Sequence, residues 1–159
     1  MPGAKTDPTL TGVERAATLR RVIPPRKTPR PTTQWIDQMA GIAYISVLSR
    51  IQEFRDFLDG VEQLISHPKW QPGMPVIEDL RGCQWIPPDT SIAEWRSYVA
   101  AHKTSLGGCR WAVVRDGATS RVEPLLDAAE DDAALSGLVL QRFTSMVEAH
   151  VWARHAARR

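Results

Sequence analysis

Cysteine is scarce in this chain. The only two, Cys83 and Cys109, stand far apart and in no C-x-x-C arrangement, so neither a disulfide framework nor a zinc site is encoded. Histidine is equally uninformative as a ligand source, because His67, His102, His150 and His155 show no spacing used by zinc ligands or catalytic triads. Gly-x-Ser-x-Gly, P-loop and dinucleotide fingerprints are all missing. No apolar run approaches the roughly 18 residues that span a bilayer, and the N-terminus lacks the apolar stretch of a secretory signal. These absences predict a soluble, cytoplasmic protein with no cofactor, no metal and no recognisable catalytic set.

Charge of one sign is also lacking overall, with a formal net charge of +2, but the distribution is uneven. Residues 1–31 carry Lys5, Arg15, Arg20, Arg21, Arg26, Lys27 and Arg30 against Asp7 and Glu14, leaving 13 basic and 16 acidic residues in the remainder. A basic arm on a mildly acidic body argues against a dedicated nucleic-acid domain, which would present its basic face on the folded part. The same 31 residues hold half of the 12 prolines, and Pro24-Pro25 ends any helix over Gly12 to Val22. We read 1–31 as a disordered basic Pro-rich tail and 32–159 as one globular domain, a size that buries one core.

What is present is an alternation of strand and helix signals. Thr33 to Met39 and Ile42 to Leu48, separated by Ala40-Gly41, read as an antiparallel pair. Ser49 and Gln52 have capping-box spacing before a helix over about 50–66, whose apolar positions include Phe54, Leu58, Val61 and Ile65. Pro75 to Leu80 reads as a strand buried on both faces, with Glu78 and Asp79 as the end that reaches solvent. A second helix is expected over about 90–105, with Ser91 and Glu94 at capping-box spacing, and a fourth strand over Cys109 to Val114. A third helix follows Gly117 and should fray at Glu130-Asp131-Asp132, where negative charge opposes the helix dipole. Gly137 to Phe143 and a helix through Val147, Val151 and Trp152 complete the order ββαβαβαβα. This order predicts an α/β fold with a mixed, mostly parallel five-stranded sheet flanked by four helices.

With that order in place, His67-Pro68-Lys69-Trp70-Gln71-Pro72-Gly73-Met74-Pro75 followed by Glu78-Asp79-Leu80-Arg81-Gly82 carries a likeness. Together with Arg110 to Val114, Arg142-Phe143-Thr144, Ala149 and Trp152, it resembles the SpoIIAA-like, or STAS-like, small bacterial domains over roughly residues 33–155. The resemblance implies a non-enzymatic module that binds proteins or, in related groups, lipids or nucleotides. Anti-anti-sigma members carry a phosphorylatable Ser or Thr in an Asp-Ser-Ser-Gly-like turn, where this chain reads Trp85-Ile86-Pro87-Pro88-Asp89-Thr90-Ser91. Thr90 or Ser91 could still take a phosphate at a helix N-terminus, and both are equally explained as caps.

Three functional readings follow. A regulatory, protein-interaction module would use Asp79, Arg81, Trp85, Asp89, Thr90 and Ser91, which cluster at the carboxyl end of a central strand, where open α/β sheets present ligand crevices. A carrier of a small lipid or nucleotide would line a cavity between helix and sheet with Trp95, Trp111 and Phe143. An enzyme would need Asp79 and Asp89 as an acid/base pair. Cys83 follows one strand and Cys109 opens the next, which leaves open whether the thiols approach each other; buried, inert cysteine is the expectation.

Overall fold

A computed structural model of the chain describes residues 32–47 and 53–156. The predicted tail over 1–31 and the Ser49/Gln52 cap lie outside the described residues. Strands β1 (Thr32–Asp37) and β2 (Ile42–Val47) pair antiparallel, with Trp35 opposite Tyr44. The turn between them is held by Asp37, whose Oδ1 accepts the N–H groups of Met39 and Ala40 at 2.9 and 3.0 Å. Gly41 then takes a φ of 65°, a conformation that a residue without Cβ reaches freely.

Helix α1 (Phe54–Ile65) begins after Glu53, whose N–H is accepted by the Asp56 carboxylate, and buries Phe54, Phe57, Leu58, Val61 and Leu64. Strand β3 (Val76–Asp79) follows, then α2 (Ser91–Ala101), a single turn α3 (Lys103–Leu106) and β4 (Arg110–Val114). The expected second helix is therefore broken at His102, where φ is −107° and ψ 20°. A 3-10 turn over Gly117–Val122 leads into α4 (Glu123–Ser136), β5 (Val139–Phe143) and α5 (Met146–Ala156).

The acidic run does not end α4 early. Arg142 of β5 reaches Glu123, Asp127 and Glu130 at 2.8, 2.7 and 2.6 Å, and Arg96 of α2 reaches Asp132 at 2.6 Å. Ion pairs to neighbouring elements offset the unfavourable dipole term, which is worth less than about 1 kcal/mol at an exposed end.

The sheet order is β1-β2-β3-β4-β5, antiparallel only between β1 and β2, so β3 is the middle strand. Each crossover steps the same way along the sheet. Right-handed connections of that kind lay their helices on one face, and α1, α2 and α4 do share it, packed over Ala43, Ile45, Val76, Trp111 and Val113. Helix α5 covers the other face through Ala149 and Ala153 against Ile42, Tyr44, Ile77, Ala112 and Val114. Both faces of β3 are thus buried, as its continuous apolar run requires.

Candidate functional site

Side chains alternate across a strand, so Val76, Glu78 and Leu80 point to the three-helix face while Ile77 and Asp79 point to the other. This parity corrects the expectation that Glu78 marks a solvent-exposed strand end. Glu78 lies opposite Ile45 on one side and Val113 on the other and is only 6% exposed. The Trp111 indole Nε1–H donates to its Oε2 at 2.7 Å, and the other oxygen has no protein hydrogen bond among the described residues. Burial pushes the Glu78 carboxyl up to about 7, with the Trp111 hydrogen bond pulling in the opposite sense.

Glu78 lines a cavity of about 40 Å³ between the sheet and the three helices. At roughly 10–15 Å³ per water, that volume holds about three waters or one compact organic group. Its walls are aromatic: Phe54 and Phe57 from α1, Trp95 from α2, Trp111 from β4 and Trp85 from the loop after β3. Phe54 and Trp85 stack with ring centres 5.8 Å apart and planes 3° apart, and Trp95 meets Trp111 edge-on at 6.1 Å. Leu125, Leu126 and Ala129 of α4 line another side of this partly open cavity. The Trp95 indole Nε1–H is buried without a hydrogen-bond acceptor, and the second Glu78 oxygen has no protein partner among the described residues.

The six residues singled out by sequence do not converge on one point. Asp79 and Arg81 bind each other at the tip of β3, with Nε to Oδ1 at 2.9 Å and Nη2 to Oδ2 at 2.8 Å. Partial burial raises the Asp79 carboxyl, but the Arg81 hydrogen bonds outweigh that effect and hold it below its ordinary value. Gly82 N–H donates to Asp116 at 2.9 Å, fastening this tip to the end of β4. Trp85 belongs to the cavity wall rather than to an exposed loop. Asp89 is exposed, and Thr90, at the mouth of an open groove between α1 and α2, donates its hydroxyl to Glu94 at 2.8 Å.

Ser91 corrects the capping expectation. It is the first residue of α2, fully buried, and its Oγ has no hydrogen-bond partner, so it neither caps the helix nor presents a hydroxyl to solvent. Thr90 occupies the cap position without a side-chain cap hydrogen bond.

Topology explains the dispersal. A crevice at the carboxyl edge of an open sheet forms where the strand order reverses direction, and an order of β1-β2-β3-β4-β5 has no such reversal. The cavity around Glu78 falls instead between sheet and helices. Trp95 and Trp111 line it as expected, whereas Phe143 lies on the opposite face, 5.6 Å from Trp152. Cys83 and Cys109 are both free and buried, one after the carboxyl end of β3 and the other before the amino end of β4. Parallel neighbours place those ends a strand length apart, roughly 16 Å at about 3.3 Å per residue, well beyond disulfide reach.

Among the described residues, no group of three His, Cys, Asp or Glu side chains is placed to hold a metal ion. No helix among them is long and apolar enough to cross a membrane. In comparisons with known proteins, no family model, no curated protein and no solved structure matches the chain.

Proposed function

We propose that this chain is a non-enzymatic binding module of the cytoplasm whose working element is the aromatic cavity around Glu78, and whose regulatory output is carried by the loop from Gly82 to Ser91. A single observation supports it most strongly: a carboxyl group sits in an otherwise apolar wall with one of its oxygens unused. Burying a carboxyl without full hydrogen bonding costs stability, so a position that keeps one invites a complementary ligand. Trp85 connects the two halves of the reading, because its ring forms the cavity wall while its backbone belongs to the loop that leads into α2. Occupancy of the cavity would move that ring and, with it, the surface offered to a protein partner. Binding without catalysis also accords with what the STAS-like resemblance implies, and two buried free thiols suit a reducing compartment.

The test uses the full chain. Native mass spectrometry of protein isolated from its source cells is expected to show a small bound mass that is lost from Ala129→Val, which narrows the cavity from the α4 side. Xenon, which enters apolar cavities of this kind, should shift the indole N–H resonances of Trp85, Trp95 and Trp111. A clean apo mass together with no xenon response at those tryptophans would remove the cavity as the binding element.

A further inference from the structure

The cavity wall selects by charge as well as by size. Among the described residues that line it, Phe54, Phe57, Trp85, Trp95 and Trp111 are aromatic, Glu78 is the single ionisable one, and none is Lys, Arg or His. Aromatic faces carry negative potential and attract cations, most strongly where water is excluded. A carboxylate oxygen adds an acceptor for a charged donor, and a charge-assisted hydrogen bond is roughly twice as strong as a neutral one. An anion would meet the Glu78 carboxylate with no cationic side chain among the described lining residues to offset it. A neutral donor would gain burial and a hydrogen bond, without the attraction of opposite charges.

Resting on the reading above, we infer that the cavity recognises a small alkylammonium ion, with the ammonium group at the free oxygen of Glu78 and a compact alkyl body against Phe54, Trp85 and Leu126. The volume of about 40 Å³ restricts the ligand to a body of a few heavy atoms. That volume can enclose a branched or cyclic short-chain amine but not a whole lipid or nucleotide. The arrangement also answers the cost of the site, because a bound cation compensates a buried carboxylate that has no counter-charge among the described residues lining the pocket.

Three probes of similar shape separate the possibilities: isobutylammonium, isobutanol and isobutyrate, each titrated into the full chain at pH 7.5 while the indole resonances of Trp85, Trp95 and Trp111 are followed. The ammonium probe is expected to bind at least about ten-fold more tightly than the alcohol, with isobutyrate weakest. Glu78→Gln, and independently Glu78→Met as an apolar replacement of similar volume, should abolish the preference for the ammonium probe over the alcohol. If alcohol and ammonium bind the wild type equally, or if the preference survives in both variants, the charge inference is wrong and the cavity reading stands. If none of the probes moves these resonances and xenon also fails to, the cavity reading itself falls.

Discussion

Glu78 and Asp79 are neighbours in β3 whose carboxyl groups respond to pH in opposite senses. Asp79 is held below its ordinary value by Arg81, so its contribution is present above the unfolded pKa and is lost as pH falls. Glu78 is raised to about 7 by burial, so the folded state binds its proton more tightly than the unfolded chain does. Its contribution is therefore fully present below the ordinary value near 4.5 and is lost as pH rises through about 7. The displacement corresponds to a loss on the order of 3 kcal/mol across that window. Denaturant unfolding of wild type and Glu78→Gln from pH 4.5 to 8 should show the difference between them moving against the wild type by about that amount; a difference independent of pH would contradict the burial of the charge. The residue was legible in the sequence by parity alone, since Glu78 shares its face with Val76 and Leu80. Its acidity points instead to a strand end, and only the register against Ile45 and Val113 shows that the strand continues past it.

Packing between elements explains which predicted boundaries hold. The strands and the core of α1 were legible because long apolar periodicities report burial directly. The length of α4 was not, because it rests on Arg142 and Arg96, distant in sequence, and neither was the break at His102, whose Nε2 lies 3.0 Å from Glu62 of α1. The buried state of Ser91 belongs to the same class, since a hydroxyl at a helix start reads as a cap whichever way it points. Contact between α1 and β1 offers a quantitative test. A Cβ at Gly60 would lie 2.4 Å from Thr32 Oγ1, closer than real contacts allow, and Thr32 is itself buried. Alanine normally stabilises a helix interior by about 1 kcal/mol over glycine, yet here overpacking of about 1–3 kcal/mol should dominate. Gly60→Ala is expected to lower stability in wild type and to cost less in a Thr32→Ala background, where the Cβ of residue 32 still lies 3.0 Å away. Thermal unfolding of the double-mutant cycle measures that difference.

At the scale of the whole molecule, the two thiols report on opposite ends of the sheet. Burial raises the Cys83 thiol and pushes Cys109 up to about 11, so neither offers much thiolate at neutral pH. Labelling of the native protein by a thiol reagent at pH 7.5 should be slow at both positions, and denaturant should accelerate both together if the sheet opens as one unit. Oxidant should yield no intramolecular cross-link, and a mass two hydrogens lower, mapped to a Cys83–Cys109 pair by peptide analysis, would contradict their placement. The unreversed strand order has a further consequence, for how the chain reaches this state. Every strand pairs with the one next to it in sequence, so no segment must wait for a distant partner before docking. Loop closure stays short at each step, which favours rapid folding for a sheet protein. Growth can then proceed as a zipper from the β1-β2 hairpin, each newly made β-α unit finding its template already laid down as the ribosome releases it.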